Sequence, residues 1–155
     1  AVVDLAHAFL PAMLERGRGG ILNVASVAGF QPLPQMAIYA ATKAFLINFS
    51  QTLQAELDGS GVHVQALCPG FTYTEFHETP EYTGYDRRKI PRWLWLTSDK
   101  VVQESLAAMH RRSVICIPGL QYKLIGAIAR NSLSGFFVRQ IGTRLFHKRH
   151  PQEEI

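Results

Sequence analysis

The chain has 155 residues, of which 18% are charged and 47% are hydrophobic, and its formal net charge is +4. This length allows one domain with a buried core and is too short for two, so we expect residues 1–155 to belong to a single domain. The composition is that of an ordinary soluble globular protein, and no stretch is apolar and long enough to predict a membrane-spanning helix or a signal peptide.

The first predicted element is a helix over about residues 1–15, because apolar side chains recur there at intervals of three and four residues. The glycines at positions 17, 19 and 20 predict its end. Neither an initiator Met nor a capping Ser, Thr, Asp or Asn precedes the helical pattern. We therefore expect the sequence to begin inside an element and to be part of a longer polypeptide.

A mostly apolar run at 21–25 predicts a short, buried parallel strand, and a loop with Gly29, Pro32 and Pro34 follows it. A long helix is predicted from about 35 to 57. Because this helix is apolar almost all round in its middle, we expect it to be buried on more than one side, by the sheet and by a partner subunit.

The later elements continue the alternation of strands and helices. In chain order they are a buried strand at 62–68 that ends at Pro69 and Gly70, an irregular stretch at 71–96, a helix after the candidate caps Thr97 and Ser98, a strand at 113–117, and an amphipathic helical stretch to about 146. This alternation predicts a parallel α/β sheet with right-handed connections.

Three residues near the end of the first strand form a chemical pattern. Ser26 precedes Tyr39 by thirteen residues, and Lys43 follows Tyr39 by four. On a helix, Tyr39 and Lys43 lie one turn apart on the same face, where an ammonium lowers the pKa of a phenol from about 10. Such a tyrosine is a usable general acid or base for carbonyl and alcohol chemistry, and Ser26 would hold the substrate oxygen against it.

A lone Y-x-x-x-K is weak support for a site, because many helices carry a tyrosine and a lysine at that spacing. The upstream serine reduces a chance match to roughly one in a hundred for this composition. Ser26 and Pro69 also both follow predicted strands, and open α/β sheets bind ligands beyond the carboxyl ends of their strands. These residues together predict an enzyme.

Three motifs extend this pattern, namely I-L-N-V-A-S at 21–26, Y-A-A-T-K at 39–43 and C-P-G-F-T-Y-T at 68–74. With them, the chain resembles the C-terminal portion of a short-chain dehydrogenase/reductase over essentially its whole length. The resemblance implies a doubly wound, parallel-sheet Rossmann-like α/β fold whose N-terminal dinucleotide-binding half is absent. The family's T-G-x-x-x-G-x-G loop is not in the sequence, so we expect this chain alone to bind NAD(P) weakly and to be inactive.

The resemblance implies a role for each matching residue. Tyr39 corresponds to the catalytic acid/base, Lys43 to the residue that lowers its pKa and binds the nicotinamide ribose, and Ser26 to the residue that orients the substrate carbonyl. Tyr39 and Lys43 thereby count as cofactor-binding residues too. Asn23 corresponds to a structural residue that ties the central strands together. Thr42 departs mildly from the family's pattern and removes no required group.

Four further residues are cofactor contacts by the same resemblance. Pro69 and Gly70 match the turn beside the nicotinamide of NAD or NADP. Thr72 matches a residue whose backbone N–H meets the carboxamide, and Thr74 one whose hydroxyl helps to hold the cofactor's amide or phosphate. The implied reaction is the interconversion of a ketone and a secondary alcohol.

The irregular stretch 71–96 lies where similar proteins carry a mobile lid over a small-molecule carbonyl or alcohol substrate. Its aromatic content suggests an apolar substrate, such as a fatty-acyl or polycyclic ketone, and the alternative is that several of the rings simply close the core. The aromatic residues are Phe71, Tyr73, Phe76, Tyr82, Tyr85, Trp93 and Trp95.

Two other functions remain open. Related epimerases and dehydratases share Y-x-x-x-K, although the Pro69 turn with its threonines favours a simple reductase. The second alternative is a non-catalytic binding or oligomerisation module that uses the helices at 1–15 and 35–57. Similar proteins form homo-oligomers through these helices, so association of the chain is expected in either case.

The basic C-terminal stretch and the two cysteines do not belong to the predicted site. The basic, amphipathic C-terminal stretch predicts a segment that packs on its own domain or at a subunit contact with a solvated basic face, in preference to binding a membrane surface or a nucleic acid. Cys68 and Cys116 show no metal or redox spacing. They predict buried free thiols in a reducing, cytoplasmic compartment, and no metal site is expected.

Overall fold

The computed structural model describes residues 1–33, 36–75 and 90–129. All elements named below lie in these ranges. In chain order they are α1 (Val2–Glu15), β1 (Gly19–Val24), a 3-10 turn (Val27–Phe30), α2 (Ala37–Glu56), β2 (Val62–Leu67), β3 (Thr72–Tyr73), a second 3-10 turn (Arg92–Leu94), β4 (Leu96–Thr97), α3 (Ser98–His110), β5 (Ile115–Cys116) and α4 (Leu120–Ala129).

The main sheet is parallel, as the alternation of strands and helices predicts. Its strand order is β1-β2-β5, with β2 paired to β1 along its whole length and to β5 at Ala66 and Leu67. Every residue of β2 is buried. The sheet belongs to the doubly wound, Rossmann-like class, which places the carboxyl ends of β1, β2 and β5 along one edge.

Helices cover both faces of the central strand β2, whose side chains alternate between them. Val62 and Val64 pack in one cluster with side chains of α1 and α2. Leu67 packs in another cluster with side chains of α3, β4 and α4. The sheet is therefore the middle layer of three.

Strand β1 differs from the prediction in its burial and its start. It begins at Gly19, two residues before the predicted apolar run, and of its side chains only that of Asn23 is buried. Val24 is 54% exposed. The reason is topological, because β1 is an edge strand of the sheet formed by the described residues and its faces are only partly covered.

Helix α2 is buried on one side in the single chain. Its fully buried residues are Ala40, Ile47 and Ser50, whereas Phe45 is 53% exposed. Burial of α2 by the sheet is confirmed for one side of the helix, and burial of its other side by a partner subunit stays a prediction. Its inner face packs on the sheet and on the 3-10 turn at Val27–Phe30, and its outer face carries exposed apolar side chains.

The stretch predicted to be irregular is paired at both ends. β3 lies parallel to β4, with Thr72 opposite Leu96 and Tyr73 opposite Thr97. The Thr97 hydroxyl then accepts a hydrogen bond from the backbone N–H of Lys100, which confirms it as the cap of α3. The strand predicted at 113–117 is shorter than expected, because only Ile115 and Cys116 pair with β2.

Several predictions fall outside the described residues. They concern Pro34 and the first residue of the predicted helix at 35, the aromatic residues Phe76, Tyr82 and Tyr85, and the basic stretch from 130 to the C-terminus. Within the ranges that the structure describes, no helix combines the length and apolarity needed to cross a bilayer.

Candidate active site

Ser26 lies two residues beyond the carboxyl end of β1 and is buried. Its hydroxyl oxygen accepts a hydrogen bond from the backbone N–H of Ala28 at 3.1 Å and caps the 3-10 turn. The same hydroxyl donates to the carbonyl oxygen of Pro69 at 3.4 Å. The backbone N–H of Val27 donates to this carbonyl as well, at 3.1 Å. The turn that follows β1 is thereby joined to the loop that follows β2.

Gly29 brings the same turn into close contact with α2. A Cβ atom at this position would lie 2.7 Å from the carbonyl carbon of Lys43 and 2.8 Å from the backbone nitrogen of Ala44. Only a residue without a side chain allows this approach. The separation between the Ser26 turn and the helix that carries Lys43 is therefore set by backbone packing.

Tyr39 and Lys43 lie one turn apart on α2, and their side chains meet as predicted. The Lys43 Nζ lies 5.6 Å from the centroid of the Tyr39 ring, which is within the range of a cation–π interaction. The same Nζ donates a hydrogen bond to the carbonyl oxygen of Val24 at 2.9 Å. This bond ties the ammonium to the end of β1, two residues before Ser26.

The electrostatics of Lys43 follow from its partial burial. Burial lowers the pKa of Lys43 below its ordinary value, and the nearby Cys68 acts in the opposite direction to a smaller extent. Burial raises the pKa of the Cys68 thiol to about 12, and Lys43 partly offsets that rise. Both cysteines are buried free thiols, as predicted, and no group of three or more potential ligands among the described residues could hold a metal ion.

Asn23 has a structural contact that differs from the expected one. Its side-chain amide donates to the hydroxyl oxygen of Ser50 at 2.9 Å, and both side chains are buried. The Ser50 hydroxyl in turn donates to the carbonyl oxygen of Leu46. Asn23 therefore ties β1 to α2, whereas we expected it to tie the strands together. Ser50 was not predicted, because nothing in the local sequence marks a serine that meets a strand residue 27 positions away.

The predicted cofactor contacts after β2 form a short, fixed loop. Pro69 accepts the two hydrogen bonds from the Ser26 turn. Gly70 lies against the ring of Tyr122, where any Cβ would overlap the ring. Thr72 begins β3, and its hydroxyl donates to the carbonyl oxygen of Gly70 at 3.0 Å. Thr74 follows β3 and is exposed.

The structure thus brings the predicted residues together in two groups that share one edge of the sheet. Ser26 and the Pro69 loop form one group, and Tyr39 with Lys43 forms the other. Gly29 and the Lys43–Val24 hydrogen bond connect the two. The arrangement sets a phenol, an ammonium and a serine hydroxyl at the carboxyl ends of parallel strands, where open α/β sheets bind ligands.

A family model described as short chain dehydrogenase matches residues 1–82 of the chain. Among curated proteins, a sulfoacetaldehyde reductase of Chromohalobacter salexigens is 45% identical over 87 residues, which is 56% of this chain and 34% of that protein. A very-long-chain 3-oxoacyl-CoA reductase of Bos taurus is 43% identical over 75 residues, which is 48% of this chain and 24% of that protein. The chain matches about a third or less of the length of these relatives.

Solved structures extend the similarity to nearly the whole chain. A short-chain dehydrogenase from Sphingobium yanoikuyae, solved in complex with NADPH, has 30% identity and a TM-score of 0.67, covering 99% of this chain and 55% of that one. A bulky-bulky ketone specific alcohol dehydrogenase from Comamonas testosteroni has 27% identity and a TM-score of 0.61, and the match covers 99% of this chain and 52% of that one. The family match alone covers more than half of the sequence. The chain therefore belongs to the short-chain dehydrogenase family.

Proposed function

We propose that the protein containing this chain is an NAD(P)-dependent oxidoreductase that interconverts a ketone and a secondary alcohol. One observation carries the proposal: the Lys43 ammonium lies between the Tyr39 ring and the carbonyl at the end of β1, beside the Ser26 turn. A phenol with a fixed cation next to it at the carboxyl edge of a parallel sheet is suited to proton transfer at a carbonyl oxygen.

In this proposal Tyr39 supplies the proton to the substrate oxygen during reduction and takes it back during oxidation. Lys43, 5.6 Å from the ring centroid, stabilises the negative charge that remains on the phenol oxygen. A charge held in place by the hydrogen bond to Val24 needs little reorganisation when the proton moves.

Ser26 would orient the substrate oxygen by donating a hydrogen bond to it. A hydroxyl has one hydrogen, which now points to the carbonyl of Pro69 at 3.4 Å. This distance is long for an O–H···O bond, so the bond to Pro69 is weak and a substrate oxygen can replace that acceptor at small cost. The N–H of Ala28 holds the oxygen atom of Ser26 in place during the exchange.

The donors present fit the nicotinamide end of NAD(P). An ammonium has three N–H donors, and the bond to Val24 uses one of those on Lys43, which leaves donors suited to ribose hydroxyls. In the loop from Pro69 to Thr74, the backbone N–H of Thr72 and the hydroxyl of Thr74 would hold the carboxamide. The fit concerns this end alone, because the sequence has no T-G-x-x-x-G-x-G loop. When bound, the reduced cofactor supplies the hydride for the carbonyl carbon.

An apolar ketone is the substrate class that we favour. Tyr73 is 48% exposed and stacks on Trp95 at a centroid distance of 4.9 Å, and Trp93 is 62% exposed. These two exposed rings are available to an apolar ligand. Trp95 is buried and Phe71 packs on the core, so these two rings help to close the core, as in the alternative interpretation of the sequence. The name of the Comamonas testosteroni relative, a bulky-bulky ketone specific enzyme, supports the same direction.

We also infer that the protein forms a homo-oligomer through α1 and α2. The outer faces of these helices expose large apolar side chains that would be costly to leave in water, among them Leu5, Phe9, Ile38 and Phe45. Phe45→Glu is expected to lower the molar mass measured by light scattering to that of a monomer. An unchanged mass would argue against α2 as the contact.

The proposed activity is tested with the full-length protein, NADH or NADPH, and ketones of rising hydrophobicity. We expect oxidation of one of the two cofactors, followed by its absorbance, with kcat/KM increasing from small polar ketones to fatty-acyl or polycyclic ones. A preference for small polar ketones would overturn the substrate class. Turnover of an epimerase or dehydratase substrate without net cofactor oxidation would overturn the reaction class.

A further inference from the structure

Tyr122, the third residue of α4, makes a contact that connects distant parts of the chain. Its hydroxyl oxygen accepts a hydrogen bond from the backbone N–H of Phe71 at 2.8 Å, and its O–H donates to the carbonyl oxygen of Leu94 at 2.6 Å. One phenol thus satisfies a donor that follows β2 and an acceptor that precedes β4. Both bonds have good lengths and lie in a site where Tyr122 is 6% exposed.

The ring that carries this hydroxyl is packed in the core. The Tyr122 ring belongs to the core cluster that contains Leu67 of β2 and Val101 of α3. Glu104 fixes the start of α4 from the other side, because its carboxylate accepts from the N–H of Gly119 at 3.1 Å and lies 3.5 Å from the Lys123 Nζ. The phenol therefore projects from a packed part of the molecule towards two loops.

Of the two loops, the one that follows β2 packs tightly against the Tyr122 ring. Gly70 lies against the ring so closely that a Cβ there would overlap it. The next residue, Phe71, donates its backbone N–H to the phenol oxygen. The hydroxyl of Thr72 then donates back to the carbonyl oxygen of Gly70. The position of this loop thus depends on both the ring and the hydroxyl of Tyr122.

We propose that Tyr122 is a positioning residue for cofactor and substrate binding, which holds the loop at 69–72 in place and couples it to the 3-10 turn at Arg92–Leu94. The proposal rests on the proposed function, which assigns that loop to the nicotinamide. Burial raises the pKa of Tyr122 to about 12, so the phenol stays protonated and keeps both hydrogen bonds at any physiological pH.

The first test replaces the hydroxyl and keeps the ring. In Tyr122→Phe of the full-length protein, the hydrogen bonds of the hydroxyl with the N–H of Phe71 and the carbonyl of Leu94 are lost, and the loop should become mobile. Hydrogen exchange of the Phe71 amide, measured without cofactor, is expected to accelerate at least about tenfold. The dissociation constant of NAD(P)H, measured by fluorescence of the reduced nicotinamide, is expected to rise about five- to tenfold, with a smaller change in kcat.

Ser105→Ala is the matched control. The Ser105 hydroxyl donates to the side-chain oxygen of Gln65 at 2.7 Å, and both side chains are buried, so its loss also removes one buried hydrogen bond. We expect this variant to lose thermal stability without a change in NAD(P)H affinity or in Phe71 exchange. Equal effects of the two variants on affinity would overturn the proposal, because Tyr122 would then act through stability alone.

Failure of the proposed function and failure of the proposed role of Tyr122 give different results. A protein that oxidises no NAD(P)H with any ketone refutes the proposed function, whereas an unchanged affinity in Tyr122→Phe of an active protein refutes only the role of Tyr122. If Tyr122→Phe does not fold, hydrogen exchange of the unmodified protein still tests the role of Tyr122. Its Phe71 amide is expected to exchange as slowly as the amides of β2, and exchange at the rate of an open loop would contradict the proposal.

Discussion

Lys43 is the residue on which the geometry of the candidate site depends most. Its ammonium contacts the Tyr39 ring and the carbonyl of Val24 at once, so one side chain joins α2 to the end of β1. Burial lowers the pKa of this ammonium. A half-buried ammonium interacts more strongly with a charge that develops nearby than a solvated one does, because fewer water molecules screen it.

Replacement of Lys43 by Met tests this role, since Met preserves most of the apolar stem and removes the charge. We expect the NAD(P)H dissociation constant of the full-length protein to rise roughly tenfold to a hundredfold, because that is the effect of losing one hydrogen bond from a charged group. Fluorescence titration measures it. Lys100→Met is the control, because Lys100 is an exposed lysine on α3 and its hydrogen bond to Thr97 is made by its backbone N–H, which the substitution keeps. Equal affinities of the two variants would contradict the assignment.

At the scale of residues, the sequence predicts what depends on local spacing. Tyr39 and Lys43 are four positions apart on a helix, so their contact could be predicted before the structure was known. The contacts of Asn23 with Ser50 and of Tyr122 with Phe71 span 27 and 51 positions. No local pattern marks such pairs, since only the packed fold brings them together.

Among the elements, the 3-10 turn at Val27–Phe30 determines how the two halves of the candidate site meet. Ser26 caps this turn, and Gly29 lies against the backbone of α2 at Lys43 and Ala44. Since backbone atoms cannot yield as a flexible side chain can, a larger residue at 29 must displace the turn or the helix.

Gly29→Ala is therefore expected to lower the free energy of unfolding by about 1–3 kcal/mol and to reduce kcat/KM, because Ser26 moves relative to α2. Denaturant unfolding and steady-state kinetics of the full-length protein measure both effects. Gly20→Ala is the control, since a Cβ at Gly20 would meet its nearest neighbour, the Met109 Cε, at an ordinary 3.6 Å. A Gly29→Ala protein as stable and active as Gly20→Ala would contradict the packing argument.

The elements predicted best are those with a strong local signal at both ends. β2 lies in a run of largely apolar residues, interrupted by His63 and Gln65, that ends before Pro69. Helix α3 follows a capping Thr97, and both elements are found where expected. The pairing of β3 with β4 was not predicted, because two-residue strands carry no periodicity and depend on residues 24 positions apart. The partial exposure of β1 likewise follows from its place at the sheet edge and not from its own residues.

For the whole molecule, the three-layer packing around β2 has a consequence for alkaline stability. Cys68, fully buried next to β2, has a pKa of about 12 against an ordinary value of 9.0. Below pH 9 the thiol is protonated in the folded and the unfolded chain alike. Between pH 9 and 12 the unfolded chain loses this proton while the folded chain keeps it, so rising pH favours unfolding.

We expect the free energy of unfolding of the full-length protein to fall with pH above about 9, with a contribution from Cys68 of up to about 1.4 kcal/mol per pH unit. Denaturant titrations at several pH values measure this slope. Cys68→Ala should have a shallower slope, while Tyr122 and Cys116, whose pKa values burial also raises, remain in both proteins. Identical slopes would mean that the Cys68 thiol ionises as readily in the folded chain as in the unfolded one.

Proton transfer by Tyr39 to and from the substrate oxygen is tested most directly by the variant Tyr39→Phe. In the full-length protein this change is expected to lower kcat/KM for the ketone by about 10²–10⁴-fold, the usual contribution of a general acid, while the thermal midpoint changes little. Thr42→Ala, which removes an exposed hydroxyl from the same helix, should retain full activity. Activity of Tyr39→Phe within a few-fold of the unmodified protein would contradict the account.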